Sequence, residues 1–254
     1  MNTLVLLKMV PDVVEELEVA ADGKSLDTSF LRTIINERDD HALEQALLLK
    51  ERHGGKVTVV ALDAPDIDDT LFAAMAKGAD RAVKITDVPE GLTTQTAAKL
   101  CAQALAGLLP ADLILTGVQA LDDLDGLSAA IVAHQLGLPY IGVVTGVTAD
   151  GPTATVIKEF AGGVRGEFAV TLPAVLGVQA AEKPPRYVPV AKVRAMMKTQ
   201  KIETVPVAGD VGAATIEVRQ LAKPVVSSHA EMLEGSPEEA AAKLVERLAQ
   251  RGLI

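Results

Sequence analysis

Tryptophan is absent from this chain, and two Tyr and four Phe are its only aromatic residues. A core without large rings must be filled by aliphatic side chains and alanine, which suits helices packed on a parallel sheet. Cations are scarce too: 24 Lys and Arg against 34 Asp and Glu leave a net charge of −10. That balance argues against general nucleic-acid binding, which needs clustered Lys and Arg, and against an anionic membrane surface as partner. The single cysteine, Cys101, excludes an intramolecular disulfide framework and an all-cysteine metal site. In AAKLCAQAL it lies on an apolar helical face and reads as a buried structural thiol. No apolar run approaches the roughly 18 residues of a membrane span. The start, MNTLVLLKMVPD, has too short an apolar run for a signal peptide and lacks a small-residue cleavage site. The expectation is a soluble, cytoplasmic protein without membrane insertion.

Catalytic signatures are missing as well. GxSxG, HExxH, GxxxxGK[ST] and GxGxxG do not occur, and His41, His53, His134 and His229 share no short motif. His53, before Gly54 at a helix end, suits the negative end of the helix dipole. Asp39–Asp40 and PDIDD, residues 65–69, read as helix starts rather than acid–base pairs. No catalytic residue and no metal site is assigned, and the chain is not read as an enzyme in its own right.

What is present is a rhythm. The runs TLVLLKMV, KVTVVAL, RAVKITD and ADLILTG read as buried strands. They alternate with the helical patterns DDHALEQALLLKERHGG, DTLFAAMAKGAD, TTQTAAKLCAQALAGLLP and LSAAIVAHQLGLP. Such alternation predicts an α/β fold, doubly wound, with a mainly parallel sheet and helices on both faces. Ligands in such sheets bind beyond the carboxyl ends of the strands where strand order reverses. The turns of interest are therefore 9–12, 62–65, 87–91 and 117–127. From Thr153 two alternating strands around AGGVRGE predict an antiparallel hairpin added to a sheet edge. The proline-bearing EKPPRYVPVAKVRAMMKTQKIETV reads as an extended C-terminal arm, ending in the helix GSPEEAAAKLVERLAQRGL with Ser236 as N-cap, Pro237 next and Glu239 completing a capping box. The division expected is 1–181 as an α/β nucleotide-binding domain and 182–254 as arm and terminal helix, the helix packing on a partner.

The turn TGVQALDDLDGLSAA, residues 116–130, links a strand to a helix. Three readings compete. A metal loop needs oxygen ligands at converging spacing, but Leu121, Leu124 and Leu127 interrupt Asp122, Asp123 and Asp125, and no downstream Glu completes the pattern. A plain helix cap would use Asp122 or Asp125. A phosphate cradle would use Gly126 for close approach, the amides of Leu127, Ser128 and Ala129, and the Ser128 hydroxyl.

Six stretches in order resemble the β subunit of the electron transfer flavoprotein family. They are LVLLKMVPD, INERDDHALEQALLLKE, AMAKGADRAVKITD, TGVQALDD before a helix ending LGLP, IKEFAGGVRGEFAVTLPAVLGVQ, and PPRYVPVAKVRAMMKTQKIE. The family's acidic residue before the paired glycines is Ala161 here. The resemblance implies an electron carrier: a heterodimer with an electron transfer flavoprotein α subunit, with FAD held mostly by α and AMP held structurally by β. It implies flavin-dependent dehydrogenases as donors and a downstream acceptor such as a quinone oxidoreductase. The adenylate would lie against Leu6, Asn36, Glu37, Arg38, Asp39 and Leu62, and along Gly117, Val118, Gln119, Ala120, Leu121, Asp122, Asp123, Leu124, Asp125, Gly126, Leu127 and Ser128. The family's loop resembles QAIDDDCNQTG; its Asn–Gln–Thr is replaced here by Gly126, Leu127 and Ser128, which keeps a hydroxyl and the backbone donors. Val13 and Arg38 fall where the family approaches the isoalloxazine of FAD.

The resemblance also makes 185–201 a docking loop, with Val190 as apolar anchor, Met196 and Met197 as an adaptable surface, and Lys192, Arg194 and Lys198 steering an acidic partner. Two alternatives stay open. One is a bifurcating-type β subunit with a second FAD in place of AMP; the other is a free-standing adenine-nucleotide-binding regulatory module.

Overall fold

The computed structural model describes residues 1–207, 216–225, 230 and 232–254. Met1–Glu18 with Leu26–Val218 form one compact unit, and Val19–Ser25 with Arg219–Ile254 a second. The residues at 182–207 that were expected to leave the domain thus belong to the first unit. His229 lies outside the described residues.

The first unit is built on a nine-stranded sheet. In chain order its elements are β1 (Thr3–Leu7), β2 (Met9–Pro11), β3 (Thr33–Ile35), α1 (Glu37–His53), β4 (Val57–Leu62), α2 (Ile67–Lys77), β5 (Arg81–Thr86), α3 (Thr94–Ala106) and β6 (Leu113–Gly117). There follow α4 (Ser128–Leu136), β7 (Tyr140–Asp150), β8 (Thr153–Glu159), β9 (Arg165–Thr171), β10 (Ala174–Val178), α5 (Val190–Thr199) and β11 (Glu203–Pro206). The sheet runs β11-β5-β4-β1-β6-β10-β7-β8-β9, while β2 and β3 form a separate antiparallel ribbon. Strands from β11 to β7 pair in parallel, and β8 and β9 close one end antiparallel.

Strand β1 shows why both faces are covered. All five of its residues are buried, with Val5 and Leu7 in one core and Leu4 and Leu6 in the other. A strand alternates its side chains between faces, so an unbroken apolar run requires a helix layer on each side. The first core takes Leu43, Leu47 and Leu71 from α1 and α2; the second takes Ala98, Leu105 and Val132 from α3 and α4. After β1 the chain winds outward through β4 and β5, then crosses back to β6 on the other side of β1. Strand order therefore reverses between β1 and β6.

Three readings need correction. The segment AVLGV is a third strand of its region: fully buried, it inserts between β6 and β7 as β10 instead of trailing from the hairpin. Its missing alternation is what a central parallel strand requires. The arm is not extended throughout. Its prolines stop at Pro189, the N-cap of α5, and the Ala, Met, Lys and Arg that follow are strong helix formers. Beyond α5, β11 pairs with β5 at the sheet edge. Third, the terminal strand TLVLLKMV breaks at Lys8, where the chain passes from β1 to the β2–β3 ribbon.

In the second unit, α6 (Pro237–Gln250) carries the expected capping box: the Ser236 side chain accepts from Glu239 N–H and the Glu239 carboxylate from Ser236 N–H. None of its residues is buried, and Leu244 and Val245 are exposed.

Candidate functional site: the crevice after β1 and β6

The carboxyl ends of β1 and β6 are tied to the start of α1. Asp39, in the first turn of α1, is buried; one carboxylate oxygen accepts from Gly117 N–H at 2.6 Å and the other from Lys8 N–H at 2.9 Å. Burial pushes its carboxyl up to about 7, against hydrogen bonds from Gly117 N–H, Asn36 and Lys8 N–H that pull it down. Asn36, also buried, donates from Nδ2 to the Gln119 carbonyl at 3.0 Å, and its N–H donates to the Lys8 carbonyl at 2.8 Å. Gly117 has no room for a side chain: a Cβ would lie 2.6 Å from Arg38 Cβ and from Asp39 Oδ1. The acidic pair expected to start α1 does so, but Asp39 also fastens three chain segments together.

The loop from Gly117 to α4 folds back on itself. Ala120 and Asp123 exchange backbone hydrogen bonds at 3.2 and 3.0 Å. Gly126 has φ of +63°, and a Cβ there would lie 2.5 Å from the Val118 carbonyl. The glycine is thus required by the loop's own closure, since a side chain in this left-handed conformation would also meet backbone. Leu127 is the N-cap of α4 and no side chain caps the helix, so neither Asp122 nor Asp125 does so. The first N–H groups of a helix have no partner within it, and here they stand at the reversal point of the sheet. Asp122 instead pairs with Lys8, Nζ to Oδ1 at 2.6 Å, both side chains partly exposed. Leu121, Leu124 and Leu127 face solvent. Among the described residues no group of three or more His, Cys, Asp or Glu is placed to hold a metal.

The remaining expected positions fall into three groups. Leu6 and Leu62 both face the second core, on the side of the sheet where α4 begins. Arg38 turns toward β10, donating from Nη1 to the Gln179 carbonyl at 2.8 Å, and Glu37 is exposed. Val13 is exposed on the stretch after β2 and belongs to neither core. Cys101 is partly buried against the second core, and desolvation pushes its thiol up to about 12, away from the thiolate form.

The docking group lies elsewhere, on α5. Val190, Lys192, Arg194, Met197 and Lys198 are exposed, but Met196 packs on the first core, so only one methionine of the pair faces outward. The base of this helix is fixed to α1. Arg186 donates to both oxygens of buried Glu44, at 2.8 to 3.1 Å, and to Glu51 at 2.7 Å; Glu182 pairs with Arg52 and Gln45. Burial pushes Glu44 up, but hydrogen bonds from Arg186 reverse this and leave it below its usual range. Sequence reasoning missed Lys8, whose signal is a cation directly after a wholly buried strand. It also missed Glu44, which looks like any solvated helix glutamate.

The chain is similar to known proteins over nearly its whole length. A family model described as Electron transfer flavoprotein domain matches residues 26–210. The Electron transfer flavoprotein subunit beta of Methylophilus methylotrophus is 33% identical, with 97% of each chain covered. The proteins of that name from Clostridium acetobutylicum and Syntrophomonas wolfei are 31% and 32% identical, covering 100% and 97% of this chain and 100% and 95% of theirs.

Proposed function

This chain belongs to the electron transfer flavoprotein family, among its β subunits, and from that premise we propose that it pairs with an α subunit and binds an adenine nucleotide, AMP, in the crevice after β1 and β6. The family is one of electron carriers rather than catalysts. The observation that carries the nucleotide reading is the uncapped start of α4 at the point where strand order reverses. The donor types fit a phosphate: backbone N–H groups and a hydroxyl, that of Ser128, at the start of α4, and the Lys8 ammonium paired with Asp122 of the loop that leads into it. Leu6 and Leu62 supply apolar surface for the base on the same side of the sheet. Two carboxylates of the site are engaged within the protein, Asp39 with two backbone amides and Asp122 with Lys8.

FAD, when bound, supplies one- and two-electron transfer. In this reading the α subunit holds most of it, and this chain closes over it from the side of Val13 and Arg38. The exposed row Val190, Arg194 and Met197 on α5 recurs at helical spacing and suits docking of a flavin-dependent dehydrogenase. Helix α6, with no buried residue and with Leu244 and Val245 outward, suits packing on the α subunit. A downstream acceptor such as a quinone oxidoreductase completes the chain of transfer.

The test is reconstitution. Purified alone, the chain is expected to carry little FAD; co-expressed with its α subunit it should give a yellow heterodimer whose flavin is bleached by a reduced flavin dehydrogenase. A monomer that keeps stoichiometric flavin through gel filtration contradicts the proposal, as does a heterodimer that no dehydrogenase reduces.

A further inference from the structure

Among the contacts that hold the loop beginning at Gly117, three made by side chains differ in kind. Asp39 takes Gly117 N–H and Asn36 Nδ2 takes the Gln119 carbonyl; both side chains are buried, at 5% and 3% exposure. The third contact is made by Lys8 and Asp122, whose side chains are 39% and 37% exposed. Buried contacts of the first kind are fixed with the fold. A half-exposed ion pair is marginal in energy and can change partner at little cost. Lys8 stands at the end of β1, the strand paired with β6, and the loop returns to that end because Gly126 comes back against the Val118 carbonyl. Its ammonium is therefore a half-exposed cation paired with the loop that leads into the uncapped start of α4.

We propose that Lys8 is the residue that reads the ligand's phosphate charge, its ammonium being held by Asp122 until a phosphate competes for it. This rests on the adenylate reading of the crevice. Asp122 then acts as an internal rival of the phosphate, and the pair discriminates a nucleoside monophosphate from the uncharged nucleoside. The two partners of one ion pair thus have opposite effects on affinity. A purely structural clamp would give effects of the same sign, because losing either partner frees the loop.

The experiment uses the heterodimer freed of bound nucleotide, with AMP and adenosine as probes in calorimetric titrations of the wild type, Lys8→Met and Asp122→Asn. Lys8→Met should raise the Kd for AMP about tenfold, the loss of one charge-assisted hydrogen bond, and leave adenosine unchanged. Asp122→Asn should lower the Kd for AMP a few-fold and also leave adenosine unchanged. Parallel weakening of AMP and adenosine by both variants overturns the proposal and makes the pair a clamp. Unchanged AMP affinity in Lys8→Met overturns it as well. A wild type that binds neither probe removes the adenylate reading and this inference with it.

Discussion

Replacing Arg186 by Met removes the guanidinium that covers Glu44 and leaves the methylenes of the stem in place. The Glu44 side chain is 4% exposed and Arg186 31% exposed, so the two partners lose unequally. An unpaired carboxylate would remain inside the protein, and breaking a buried pair from this side costs about 3 kcal/mol, the low end for such losses because the arginine itself touches water. Glu44→Gln is the milder change. Its amide oxygen still accepts from Arg186, whose Nη1 keeps Glu51 at 2.7 Å, so the cost is about 1 kcal/mol. Removing both charges, as Arg186→Met with Glu44→Leu, should bring stability back within about 1 kcal/mol of wild type, because no buried charge is then stranded. The assay is urea unfolding of the four proteins followed by far-ultraviolet circular dichroism, their unfolding free energies compared directly. If Arg186→Met proves no worse than Glu44→Gln, or the double variant is worse than either, Glu44 does not rely on Arg186 for its burial.

Other expectations follow from the same geometry. Gly117→Ala places a methyl 2.6 Å from Asp39 Oδ1 and Arg38 Cβ, so α1 must shift; a loss of about 2 kcal/mol and a fall in bound nucleotide are expected, and full nucleotide retention with unchanged Tm would refute the close approach. Asp39 has a folded-state value of about 7 against an ordinary 3.8, so the native state keeps a proton that the unfolded chain releases. Its contribution to stability is full below about pH 4 and is lost as pH rises to about 7. The wild type should therefore lose Tm between pH 5 and pH 8 relative to Asp39→Asn, and parallel Tm profiles would show that Asp39 titrates normally. Val190→Asp changes a residue 61% exposed, so stability and flavin spectrum should stay the same while electron transfer from the dehydrogenase falls; unimpaired transfer removes α5 from the docking surface.

The parallel sheet was legible because buried strands and helices have different apolar periods, and TLVLL or LILTG admits no other reading between amphipathic segments. The order β4-β1-β6 follows from alternation only as one of several windings, and β10 escaped because AVLGV looks like the tail of a hairpin rather than a central strand. Helix α5 escaped for the opposite reason: Pro184, Pro185 and Pro189 dominate the look of the arm, yet all three precede the helix. Loop 117–128 was found from its place between strand and helix. Its internal logic was not, because the closure at Gly126 depends on the Val118 carbonyl eight residues earlier, and the Lys8–Asp122 pair spans 114 positions. Charged residues on a helix give no sign in sequence of which will be buried; Glu44 and Glu51 share one helix and one arginine, and only Glu44 is enclosed.

The most direct test of the account is to extract the heterodimer with acid and quantify the released nucleotides by chromatography against protein. One FAD and one AMP per heterodimer is the result predicted, with AMP lost and FAD retained when the loop is disrupted at Gly126 by valine. Two FAD and no AMP would assign the crevice to a second flavin, and FAD alone, with no adenylate at any concentration tried, would contradict the claim that the crevice after β1 and β6 is a nucleotide site.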